Sequence, residues 1–165
     1  MSATADRISG RMLAAAGPVF TFPTASEAPL GAKKWSTGVS GLVGFLGPKW
    51  QAGVLPMQFW SFAGAEERPE VKLSNIQYFI SRTINPEWAV GMSPNIVIDW
   101  TQGPGDKLTF PFGMGVNHTV MLGKVPARVS VDLYYSIVRP DTIPGSRWDL
   151  RISLTPALPA FLLGL

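Results

Sequence analysis

Hydrophobic residues recur at every second position over long stretches of the chain. From Trp88 to Trp100 the even positions are Trp88, Val90, Met92, Pro94, Ile96, Ile98 and Trp100, separated by Ala89, Gly91, Ser93, Asn95, Val97 and Asp99. Leu108–Leu122 repeats the pattern through Phe110, Phe112, Met114, Val116, His118 and Val120. In Ala127–Ile137 the odd set is apolar, and from Trp148 to Leu158 the even set is. Side chains alternate across a β-strand, so each stretch predicts a strand with one face in an apolar medium and the other in a polar one. Weaker alternation at Ile76–Ile80, and Gly-rich runs over Trp35–Phe45, Trp50–Phe62 and roughly Met12–Pro23, bring the expected number to eight strands of about 11 to 16 residues. Strands of ordinary soluble proteins have about 5–6 residues.

The connections alternate in length. Short ones fall at 46–50, 84–88 and 122–126; longer ones run over Thr24–Lys34, Ala63–Glu70, Thr101–Asp106 and Arg139–Arg147. Short turns at one end and longer loops at the other is the plan of an outer-membrane barrel. Charges respect it. Only Arg82, Asp99, Arg128, Asp132 and Arg151 fall within the expected strands, and all but Arg82 lie on the polar face. Arg82 is two residues from a turn, where its side chain reaches headgroups by snorkelling. Trp88 and Trp100 lie 12 positions apart on one face. At about 3.3 Å per residue and a 45° tilt they span roughly 28 Å of membrane height, close to the distance between the two aromatic girdles of such barrels. Trp35, Trp50, Trp60 and Trp148 complete the expected lipid-interface girdle.

Composition narrows the choice. The 165 residues allow one domain, with residues 1–10 expected as a flexible segment, 11–160 as strands and 161–165 as a tail. Charged residues make up only 15 %, against roughly 25 % in soluble domains. The net charge of +3 is too small and too scattered to suggest nucleic acid. With no cysteine and one histidine, neither a disulfide framework nor a thiolate or multi-imidazole metal site is available. No run of 18 apolar residues predicts a transmembrane helix.

Chemical motifs are sparse. "GMGVNH" (113–118) and "GPGDK" (103–107) contain glycines, but a phosphate loop needs GxxxxGK[ST] before a helix, and no helix is expected here. His118 lies between Val116 and Val120 with no second histidine or carboxylate on its face, and reads as an interfacial residue near the short-turn end. No nucleophile–base set or paired catalytic carboxylates appear, so no enzyme and no cofactor are expected. The candidate functional set is the polar face: Asn75, Gln77, Asn95, Asp99, Asn117, Arg128, Asp132, Tyr134 and Arg151, expected to line a pore that orients or filters a solute.

The ordered series "GPVFTFPTAS", "KKWSTGVSGLVGF", "WQAGVLPMQFWSFAG", "RPEV", "FPFGMGVNH" and "VDLYYSIVRPD…WDLRISL", from about Gly17 to Leu158, resembles the outer-membrane transporter family of the meta-pathway of phenol degradation. The resemblance implies an antiparallel transmembrane β-barrel that passes small hydrophobic or aromatic compounds, with outer-membrane lipid and the barrel assembly machinery as partners. It carries no catalytic residues. Members of that family are longer, with a signal peptide and further strands upstream, so this chain is expected to correspond to the C-terminal part of a larger barrel. Its "LTPALPAFLLGL" end departs from the usual aromatic-terminated strand: Pro156 and Pro159 interrupt it and four residues follow Phe161. The alternatives are a soluble small-ligand-binding barrel, which would need many more outward strand charges, and a structural envelope protein without transport.

Overall fold

The computed structural model describes residues 10–24, 32–123, 125–141 and 146–156. It consists of β-strands joined by turns, with no helix among these residues. The strands are β1 (Arg11–Thr21), β2 (Lys34–Leu46), β3 (Trp50–Gly64), β4 (Lys72–Thr83), β5 (Trp88–Met92), β6 (Asn95–Asp99), β7 (Leu108–Leu122), β8 (Val125–Val138) and β9 (Trp148–Pro156). All pairings are antiparallel and form one sheet in chain order.

The expectation of eight strands becomes nine elements because of Pro94. β5 and β6 both lie between β4 and β7, and Ile80↔Met92 and Gln77↔Asn95 continue the same register. Together they are the single line from Trp88 to Asp99. Proline has no N–H to give the ladder, which breaks at Ser93–Pro94. Other ends differ by a few residues: the strands take in Arg11, Lys34 and Lys72 at or near their termini. The expected tail at 161–165, Phe161 and Pro159 lie outside the described residues, as does most of the N-terminal segment.

Local chemistry sets the turns. Asn85 Oδ1 accepts the N–H groups of Glu87 and Trp88 at 2.9 and 2.8 Å, an Asx turn that starts β5. Gly123, at φ 63°, turns the chain between β7 and β8, a conformation that costs glycine nothing.

Register separates the faces. One face carries the rows Val90–Val116–Val131–Ile152, Met114–Leu133–Leu150 and Phe112–Tyr135–Trp148. The other carries Asn117–Ser130–Ser153 and Gly115–Asp132–Arg151. Burial is inverted relative to a water-soluble fold. Among the described residues only Ala127 and Tyr134 are buried hydrophobics, whereas 29 large hydrophobic side chains are exposed. The polar face is concave: Gln51 on β3 and Thr155 on β9 line one cavity of about 340 Å³. The sheet is open, since no rung joins β1 to β9 among the described residues.

Candidate functional site: the polar concave face

Gln77, Asn117, Arg128, Asp132, Tyr134 and Arg151 line the concave cavity together, with Gln51, Ser81, Ser130, Ser153 and Thr155 beside them. Strand register brings them there. Asp132 is the direct cross-strand partner of Arg151, Arg128 of Thr155 and Ser130 of Ser153. Arg151 Nη2 lies 3.6 Å from Asp149 Oδ2, and its guanidinium is 5.6 Å from the centre of the Tyr134 ring. Two arginines and one aspartate thus give this cavity a basic balance.

Asn75, Asn95 and Asp99 are not among the residues lining this cavity. Asn75 and Asn95 share its face, opposite Val97 and Gln77. The Oδ1 atom of Asn75 is buried without a hydrogen-bond partner. Asp99 ends β6, and its carboxylate accepts from the Thr101 N–H (3.0 Å), the Thr101 hydroxyl (2.6 Å) and Gln102 Nε2 (3.3 Å). Its charge is held in the following turn.

Tyr134 is only 2 % exposed. Its ring lies over Gly113, where an added Cβ would come 2.8 Å from Tyr134 Cδ1 and 2.0 Å from the Leu133 carbonyl oxygen. Gly53 makes the same room for Phe79. The small residues of the inner wall therefore accommodate aromatic rings from neighbouring strands, a packing that alternation does not reveal.

The Tyr134 hydroxyl also repairs the ladder. Rungs between β5 and β7 stop at Gly91↔Gly115 and those between β6 and β7 start at Val97↔Thr109. The common register sets Ser93 opposite Gly113 and Asn95 opposite Pro111. Pro111 removes a donor from this stretch, and Pro94, whose carbonyl accepts the Tyr78 N–H at 3.2 Å, removes one from the β4 side. The Ser93 N–H donates instead to Tyr134 Oη at 3.1 Å, from the concave face. From the other face, the Tyr78 hydroxyl donates to the Pro111 carbonyl at 2.7 Å. Gln77 Nε2 donates to Ser93 Oγ at 2.8 Å. Sequence reasoning missed Tyr78 and Ser93. The signal was present as two prolines on neighbouring strands, but their proximity in the sheet, offset by one residue, needed the register.

On the convex face the six tryptophans are all exposed. Trp50 and Trp88 lie at the short-turn end, Trp35, Trp60, Trp100 and Trp148 at the loop end. His118 stacks on Trp88 at 4.1 Å between ring centres. Trp100 Nε1 donates to Ser74 Oγ at 2.8 Å, and the Ser74 hydroxyl donates to Gln58. Trp100, Ser74 and Gln58 thus satisfy one another, whereas the Nδ1 atom of His118 is buried without a hydrogen-bond partner. Arg82 lies 5.5 Å from the Trp50 ring centre. Comparison of the chain with family models, curated proteins and solved structures gives no match.

Proposed function

We propose that this chain is a membrane-spanning β-structure of the bacterial outer membrane, forming the wall of a passage for small hydrophobic or aromatic compounds. The observation that carries the reading is the inverted burial: 29 large hydrophobics are exposed, most of them on the convex face by register, and the cavity on the other face is lined mainly by polar and charged groups. Exposed apolar patches on soluble monomers rarely exceed a few hundred Å². Lipid removes that penalty, provided backbone groups are paired within the sheet. Tyr78 and Tyr134 supply pairing where the prolines interrupt it. The resemblance to the phenol meta-pathway transporters supports the choice of solute class and of the barrel assembly machinery as a partner.

A soluble ligand-binding barrel would keep an apolar cavity inside and a polar face outside, the reverse of the arrangement found. The test is reconstitution of the full-length protein in liposomes, followed by uptake of a small aromatic such as phenol or toluene and of a charged solute of similar size. Faster entry of the aromatic than in protein-free liposomes supports the reading. Equal entry with and without protein, despite complete insertion, supports a structural role.

A further inference from the structure

The convex face carries a trough of about 430 Å³ whose walls include Trp50, Ile80, Arg82, Met92, Phe112 and Met114. Its volume falls within the roughly 300–1,000 Å³ of small-molecule sites. It opens where the β5–β7 rungs stop at Gly91↔Gly115, so that Met92 and Phe112 flank parted strands. One end is polar and the rest apolar. Arg82 is the second-last residue of β4, beside the short turns, and Ile80↔Met92 lies one step further from them than Arg82↔Val90. Arg82 touches the Trp50 ring, and among the described residues no carboxylate pairs with it.

An unmatched cation at the interfacial end of an apolar trough selects an amphiphile with an anionic head and an acyl tail. We infer that the trough binds one membrane phospholipid, with its phosphate at Arg82 and one acyl chain laid over Met92, Phe112 and Met114. Arginine suits this role because its planar fork of donors matches phosphate geometry. The inference rests on the membrane reading, and its test separates the two.

Delipidated full-length protein in micelles is titrated with phosphatidylglycerol or with diacylglycerol, which has the same chains without phosphate, and bound lipid is counted by native mass spectrometry. Wild-type protein should retain one phosphatidylglycerol and not diacylglycerol. R82Q should weaken retention about tenfold, the loss of one charge-assisted contact, and R82K should recover part of it. M114W, which fills the trough without touching charge, should weaken it as well. K107Q, at the loop end beside Trp100, should bind as wild type. All variants are checked for liposome insertion. Insertion with equal lipid retention by wild type and R82Q, or equal retention of diacylglycerol, overturns the lipid site alone. Failure of the wild type to insert overturns the membrane reading and the lipid site with it.

Discussion

Replacing Tyr134 by Phe removes one oxygen and keeps the ring over Gly113. The oxygen accepts the Ser93 N–H at 3.1 Å, and Tyr134 is 2 % exposed. Pro94 follows Ser93, and register points the Ser93 N–H toward β7, where the rungs are interrupted. Without the tyrosine this half-buried donor is left without its protein partner. An orphaned buried donor costs about 1–3 kcal/mol, which is roughly 5- to 150-fold in the folding equilibrium. Tyr135→Phe is the matched control, since Tyr135 lies on the opposite face with its ring 4.9 Å from that of Trp148. The assay is urea unfolding of the micelle-bound protein followed by tryptophan fluorescence, with hydrogen exchange read at the Ser93 amide. Tyr134→Phe should lower stability by more than Tyr135→Phe and speed exchange at Ser93. Equal stability of the two variants, with Ser93 exchange unchanged, would refute the claim that Tyr134 completes the ladder.

Three further outcomes follow from the same geometry. Ile96 faces outward and Asn95 inward, so Ile96→Arg should block liposome insertion, at a cost of roughly 2–4 kcal/mol for a midplane arginine on the lipid face, while Asn95→Arg inserts; equal insertion contradicts the assignment of faces. Asp132 lines the cavity whereas Asp99 is held by Thr101 and Gln102. In planar bilayers Asp132→Asn should therefore shift the full-length protein toward anions more than Asp99→Asn, and the reverse order would place the conducting path elsewhere. Among the described residues nothing pairs the outer edges of β1 and β9, so the 165-residue chain in detergent should associate edge to edge; a monomer by light scattering with protected β1 and β9 amides would contradict this.

Much of the strand layout was legible because alternation has the same period as the pleat. Leu108–Leu122 appears with the expected bounds, and Arg82 lies on the apolar face beside Trp50 as its position implied. The break at Pro94 was less legible, since proline in an alternating run continues the apolar phase while removing a donor. Of the polar set, position alone could not show that Asp99 turns back to Thr101 or that Tyr134 is folded down onto Gly113. Both depend on contacts between residues that periodicity treats as independent. The pairing of Asp132 with Arg151 across β8 and β9 likewise follows from register, which no single strand encodes.

The central claim is that the apolar face meets lipid and the polar face an aqueous interior. The chain has no cysteine, so single-cysteine variants are direct probes at adjacent positions: Asn95 and Ile96, Val131 and Asp132, Arg151 and Ile152. Each is labelled with an environment-sensitive fluorophore, the protein is inserted into liposomes, and quenching by brominated lipid is compared with quenching by aqueous iodide. The account predicts lipid quenching at 96, 131 and 152 and iodide quenching at 95, 132 and 151, a period of two in opposite phases. Iodide quenching at all six positions, or lipid quenching at 95, 132 and 151, would contradict it.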